Sequence, residues 1–191
     1  MFKIFKKKQQ VSINEEVVKP IEYFHYEPLE MAWYIVKYCL DHEIKINMLK
    51  LQKLLYYVHI ALLVESGGKT SVDTKFKLTK YGAYNDDIYR RYRKYSSTTL
   101  RALPVKEELM LDNGRVIKKS TPYSIKFNGC DKVLVDAVLS SYKEYNTFAL
   151  VEKSRSEITS MNVTKDCIIE EYLLFSYYKN NTDKICGKVF T

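Results

Sequence analysis

Apolar residues recur at helical spacing in six segments of the chain, and one segment carries the pattern more fully than the others. It reads MLKLQKLLYYVHIALLVESGG, and its stripe consists of Leu51, Leu54, Leu55, Val58 and Leu62. Further apolar residues occupy its other faces, which is typical of a helix enclosed within a domain. Asn47 is a suitable N-cap before it, and Gly67 and Gly68 can end it in the left-handed region. The pattern predicts a central, buried helix over residues 47–65.

Five shorter helices are predicted around the central one. The first begins at Pro28, which suits a first helical turn, and ends near His42. In chain order, the others cover residues 85–95 after an Asn85 cap, 131–145, 147–155 with Thr147 as the cap, and 164–178. In the 85–95 helix, Ile88, Tyr92 and Tyr95 form the predicted inner stripe, and the arginines point away from it.

Extended backbone is predicted in two places. KFKLTKYG, residues 75–82, is a short extended piece, and EELMLDNGRVIKK reads as a β-hairpin with its turn at Asp112, Asn113 and Gly114. We therefore expect a mainly α fold: a single compact helical domain around the central buried helix, with one small β-hairpin or short sheet. Residues 1–27 show no sustained period, so we expect an N-terminal extension over 1–27 and the helical domain over 28–191.

Composition places the chain among globular proteins. Of the 191 residues, 46% are apolar and 28% are charged, which is enough for one domain with a real core. No segment reaches the roughly 18 to 20 apolar residues that span a bilayer, and the N-terminus lacks the apolar region of a signal peptide. We expect a cytoplasmic protein without an integral membrane segment. Its four cysteines are expected to be reduced and structural, with Cys39 and Cys167 inside apolar helical runs.

Candidate catalytic chemistry is sparse. The histidines are His25, His42 and His59, which are widely scattered, and none lies beside a candidate nucleophile or at metal-ligand spacing from a cysteine. His59 falls in the middle of the central helix, where we expect a packed or partly exposed side chain. Carboxylates that are adjacent in sequence point about 100° apart on a helix and do not converge on a substrate. We predict no catalytic residues, no metal, no cofactor and no enzymatic activity.

The net charge of +8 favours anionic partners, which include nucleic acid, membrane surfaces and acidic proteins. The run YRRYRK could contact phosphates while its tyrosines stack on bases. The same run is also the outer half of an amphipathic helix. No helix-turn-helix, zinc-finger or RNP signature accompanies it, so nucleic acid is the less favoured partner.

The order of these segments resembles the Panacea, or SocA-like, domain family. The family helix "lkLqKLLYy" is matched here by Leu49, Leu51, Gln52, Lys53, Leu54, Leu55 and Tyr56. The next family motif, "aW-x-x-GPV-x-x-x-vY", is matched by Gly82, Ile88 and Tyr89. CDKVLVDAVLSSYKEYNTFALVEKS is similar to a later family segment, so the resemblance covers about residues 29–154. The chain departs from the family in having Ala83 and Tyr84 after the glycine, and Arg155 near a family histidine.

The resemblance implies an antitoxin, a protein that binds and neutralises a cognate toxin by direct protein–protein contact. One family member is a proteolytic adaptor that delivers its toxin to a protease, so a protease is a second implied partner. Many members are encoded beside toxin genes or on prophages. Two alternatives stay open: a nucleic-acid-binding regulator, and a mobile-element protein that inhibits a different host factor.

The tyrosines and arginines left on the outside of the 85–95 region are the candidate partner-binding residues. They are Tyr84, Tyr89, Arg90, Arg91 and Arg93. Tyrosine and arginine are enriched at the hot spots of protein interfaces. A solvated face without a binding role is the alternative interpretation.

Overall fold

The computed structural model describes residues 25–93, 99–101 and 105–186. Within these ranges the helices are α1 (Pro28–Asp41), α2 (Met48–Glu65), α3 (Asp86–Tyr92), α4 (Gly129–Ser141), α5 (Thr147–Ser160) and α6 (Glu171–Tyr178). The strands are β1 (Phe76–Thr79), β2 (Gly82–Tyr84), β3 (Val105–Asp112), β4 (Arg115–Pro122) and β5 (Ile168–Ile169). A single 3-10 turn, Thr182–Lys184, follows α6.

Helix α2 is enclosed by the rest of the domain, as predicted. Every residue from Lys50 to Leu63 is buried, and all the other helices and strand β2 pack against it. The Asn47 side chain caps it by accepting the Lys50 N–H at 2.8 Å. Gly67 and Gly68 follow it with φ values of 70° and 93°, which a residue with a Cβ rarely adopts. Its buried apolar surface is the centre of the core.

The helices around α2 follow the predicted stripes with shifted ends. In α1, the buried residues are Met31, Ala32, Ile35, Val36 and Cys39. Helix α4 begins at Gly129 because Asn128, rather than Asp131, caps it. Helix α5 is capped by Asn146 rather than by Thr147, and it continues past Arg155 to Ser160 because Ile158 is buried in the core.

The expectation of a mainly α fold with one hairpin or short sheet is wrong. Of the described residues, 51% are helical and 18% are in strands, a mixed α/β composition with two small sheets in these ranges. The first sheet has the antiparallel order β2-β1-β5, and the second consists of β3 and β4. Two pairings account for the error. Strand β2 pairs with β1, so the predicted extended piece becomes a sheet in addition to the hairpin, and Ile168 and Ile169 pair with Lys77 and Phe76 instead of continuing the helix predicted over 164–178.

That pairing also changes the position of Cys167. The sequence places it in an apolar helical run, whereas the structure places it before β5, where it is exposed and its carbonyl accepts the Leu78 N–H at 3.1 Å. Cys39 is buried in α1, as predicted. Nothing in the isoleucine pair itself distinguishes a helix from a strand, so the distant partner β1 decides the outcome.

The predicted hairpin is confirmed. Strands β3 and β4 pair from Val105↔Pro122 to Asp112↔Arg115, and Asn113 and Gly114 form the two-residue turn with φ values of 49° and 76°. All but the two half-buried side chains of Val105 and Thr121 are exposed. The hairpin is therefore solvated on both faces.

The residues just before α1 lie against the domain. Tyr26 is buried, its N–H donates to the Ser71 carbonyl at 2.7 Å, and its hydroxyl donates to Asp131 Oδ2 at 2.6 Å. The first 24 residues of the predicted extension lie outside the described residues, as does Tyr95 of the predicted inner stripe. No helix in the described ranges is both long enough and apolar enough to cross a bilayer.

Candidate partner-binding surface

The five predicted site residues lie together at the junction of β2 and α3. Tyr84 ends β2, the next three are on α3, and Arg93 follows it. The Tyr84 and Tyr89 rings lie 5.6 Å apart between centroids, and Tyr89 is 40% exposed. The three arginines are exposed. We call these residues the α3 face: Tyr84, Tyr89, Arg90, Arg91 and Arg93.

Acidic side chains moderate the charge of the α3 face. Asp87 forms an ion pair with Arg90, and Asp86 accepts a hydrogen bond from Lys77 Nζ at 2.7 Å. Lys77 also lies over the Tyr84 ring, 5.6 Å from its centroid. Both aspartates occupy the first turn of α3, where their negative charges interact favourably with the helix dipole. The face thus combines aromatic rings with charges of both signs.

A groove of about 480 Å³ runs beside the α3 face. The residues that line it include Tyr84, Arg90, Lys75 and Ile168. Concave surfaces with aromatic and arginine side chains at their margins are the places where protein partners insert anchoring residues.

Buried polar residues of α2 hold the α3 face in position. Gln52 Nε2 donates to the Asn85 carbonyl at 2.9 Å, and the Asn85 N–H donates to Gln52 Oε1 at 2.8 Å. Lys53 Nζ donates to the Ala83 carbonyl, and burial lowers the pKa of Lys53 to about 7. The two polar residues of the "lkLqKLLYy" match therefore fix the backbone that carries Tyr84 and begins α3.

Asn85 joins α3 to the start of β1. Its Oδ1 accepts the Ile88 N–H at 2.8 Å, which caps the helix. Its Nδ2 donates to Thr74 Oγ1 at 2.7 Å and to the Lys75 carbonyl at 2.9 Å. The side chain is almost fully buried, so its bonds to Ile88 and Thr74 are shielded from water, whereas the bond to Lys75 is only partly buried.

Gly82 sets the close packing of β2 on α5. Its φ is 76°, and a Cβ added there would lie 2.2 Å from Ser154 Oγ and 3.1 Å from the Val151 carbonyl oxygen. This position requires glycine both for its backbone conformation and for space. The glycine that matches the family motif is thus a structural requirement of the support beneath the α3 face.

One group of buried ionisable side chains outside this region is centred on Glu157. Glu157 accepts hydrogen bonds from the hydroxyls of Tyr57 and Tyr178, each at 2.8 Å, and pairs with Lys153. Burial and the Glu157 charge raise the pKa values of both tyrosines. Among the described residues, no three His, Cys, Asp or Glu side chains form a group that could hold a metal ion.

The tip of the hairpin is a second exposed surface, which the sequence reading did not single out. Leu109, Leu111 and Val116 are 76%, 78% and 67% exposed. Paired residues of a hairpin share a face, so Leu111 and Val116 lie on one side together with Leu109. The sequence signal for this surface was the apolar run LML in a predicted hairpin strand. In the structure, no further described strand pairs with the hairpin beyond β4.

When the chain is compared with known protein families, residues 51–158 match the family model described as "Antitoxin SocA-like, Panacea domain". The match covers more than half of the chain and includes most of α2, all of the α3 face and the hairpin. It ends before β5 and α6. No curated protein and no solved structure matches the chain.

Proposed function

The chain belongs to the SocA-like Panacea antitoxin family, and on that premise we propose that it binds a cognate toxin by direct protein–protein contact and so neutralises it. The family indicates an antitoxin role in general. The observation that carries the specific proposal is the α3 face, an exposed cluster of tyrosines and arginines on a rigid, buried support. The contact involves Tyr84, Tyr89, Arg90, Arg91 and Arg93.

The positions of the family motif residues support binding rather than catalysis. Gln52 and Lys53 make buried hydrogen bonds to backbone, and Gly82 provides space for Ser154. These residues stabilise the scaffold and leave the exterior to act on other molecules. Neutralisation by occupying the toxin surface requires no chemistry from this chain.

The mixed charge of the α3 face favours a protein partner over nucleic acid. Arg90 and Lys77 are paired with aspartates, which reduces the positive potential that a phosphate backbone would meet. Alternating charges and aromatic rings suit a protein surface with a complementary pattern, because such complementarity sets specificity and association rate. Delivery of the toxin to a protease stays a prediction from the family.

The test is co-expression with the toxic product of the adjacent gene, followed by growth measurement. We expect the wild type to restore growth and the double variant Arg90→Ala/Arg91→Ala to restore it less. A matched control, Arg115→Ala/Lys119→Ala, removes the same charge from the hairpin and should behave as the wild type. Undiminished toxicity in the presence of soluble wild-type protein would contradict the proposal.

Pull-down followed by mass spectrometry distinguishes the host-factor alternative. Recovery of the neighbouring gene product, with binding to DNA or RNA absent at low salt, supports the antitoxin proposal. Recovery of a host protein in its place, or nucleic-acid binding with a steep salt dependence, would support an alternative.

A further inference from the structure

A second hollow adjoins the groove beside the α3 face, and residues 73–76 line both. Its volume is about 520 Å³, and it opens between residues 25–27, the 70–76 segment and the start of α6. The two concavities share wall residues, among them Asp73, Phe76 and Ile168. A partner on the α3 face would therefore extend over this hollow as well.

The hollow contains a buried histidine with unused hydrogen-bonding capacity. His59 is 1% exposed, and neither ring nitrogen makes a hydrogen bond of regular geometry with a described residue. Its Nε2 lies 3.7 Å from Glu171 Oε1, beyond hydrogen-bonding distance. Burial lowers the pKa of His59 to about 4, and the nearby Val72 backbone acts in the opposite direction. The ring is therefore neutral at physiological pH, and the surrounding protein encloses both of its nitrogens.

Carboxylates outnumber cations around this histidine. The acidic wall residues are Glu27, Asp73, Glu170 and Glu171, and the basic ones are His25 and Lys75. Glu171 is held in place because one of its oxygens accepts a hydrogen bond from the Thr70 hydroxyl. Its side chain is still 36% exposed, so the carboxylate can contact a ligand.

The rim of the hollow is apolar. Ile168 is 52% exposed and Tyr172 is 66% exposed, and both belong to its lining. An exposed ring and an isoleucine beside a carboxylate suit a long side chain with a methylene stem and a cationic head. Guanidinium fits better than ammonium, because its planar fork can donate to a carboxylate and to a second acceptor and can stack on an aromatic ring.

We propose that this hollow receives an arginine side chain of the toxin, with the guanidinium donating to Glu171 beside the enclosed His59 ring, and with the stem packed on Tyr172 and Ile168. The inference rests on the proposed function and adds the chemistry of the partner. It assigns part of toxin recognition to β5 and α6, which lie outside the family match at residues 51–158.

The first experiment uses methylguanidinium chloride as the probe and needs no toxin. Nuclear magnetic resonance titration of the full chain should show saturable shifts of the His59 and Tyr172 ring signals, with millimolar affinity. Neutral methylurea and matched sodium chloride should not produce them. Glu171→Gln keeps the Thr70 bond but removes the charge, and it should abolish saturation, whereas Glu108→Gln on the hairpin should not. Identical shifts with methylurea, or with Glu171→Gln, would overturn the proposal.

The second experiment measures toxin affinity by calorimetry. Glu171→Lys should weaken binding by at least about tenfold, since removing one partner of a shielded ion pair typically costs more than that. One toxin arginine should show a non-additive loss when it is changed to alanine together with Glu171→Gln. If methylguanidinium binds but Glu171→Lys leaves toxin affinity unchanged, the toxin does not use this hollow. Failure of the toxin to bind wild type refutes the proposed function, while the probe titration still reports on the hollow itself.

Discussion

Replacing Asn85 by alanine tests whether the buried polar bonds beneath the α3 face stabilise the fold. The substitution removes the cap of α3, which is worth about 1 kcal/mol. It also removes both bonds donated by Nδ2 and leaves the hydroxyl of Thr74, a buried residue, without that partner, at a cost of roughly 1 to 2 kcal/mol. The exposed Lys75 residue allows water to replace the third bond, so we expect a total loss of about 2 to 3 kcal/mol.

Asn146→Ala provides the matched control. Asn146 caps α5 by accepting the Ala149 N–H at 2.8 Å, but the residue is exposed. The same chemical change there should cost only the cap, about 1 kcal/mol. Urea unfolding followed by circular dichroism measures both free energies of unfolding. Equal losses for the two variants would show that the Thr74 and Lys75 bonds contribute nothing, and the reasoning about the support would be refuted.

Three further predictions concern α2 and its neighbours. Gly82→Ala should cost several kcal/mol of unfolding free energy because the added Cβ clashes with Ser154. Gly67→Ala is the control: the backbone φ is similar but the space around it is open, so it should cost about 1 kcal/mol. Comparable losses for the two variants would contradict the packing argument. Since the folded pKa of Lys53 lies below its unfolded value, the wild type should gain up to about 4 kcal/mol over Lys53→Met between pH 7 and 10.5. Because the folded pKa of His59 is also lowered, the wild type should lose up to about 3 kcal/mol relative to His59→Leu as the pH falls from 6.5 to 4. In both cases denaturant unfolding at a series of pH values measures the unfolding free energy of the wild type and of the variant. If the two free energies change with pH in parallel, the expected titration does not occur.

The elements that could be predicted are those whose signals are local. The central helix carries its own cap at Asn47, its own stop at Gly67 and apolar residues on all faces, so no distant contact is needed to define it. The hairpin turn is equally local, because Asn113 and Gly114 tolerate positive φ. The same reasoning placed the α3 face, since Ile88 and Tyr92 alternate with the arginines at helical spacing.

The elements that could not be predicted depend on contacts between distant residues. Strand β5 forms because Ile169 pairs with Phe76, and a window of sequence around Ile169 contains no trace of that partner. The hollow unites His25, His59, Thr70 and Glu171 from four separate parts of the chain. One signal was available: Gln52, Lys53 and His59 are polar residues in a helix predicted to be buried all round, and such residues need partners.

Hydrogen–deuterium exchange of the toxin complex tests the central claim, that this member of the SocA-like family binds its proposed toxin through the α3 face on a buried scaffold. The account predicts that toxin slows exchange in peptides covering residues 83–93 and 168–174, while the hairpin peptides over 105–122 exchange as in the free protein. Protection confined to the hairpin, with unchanged exchange across α3, would contradict it.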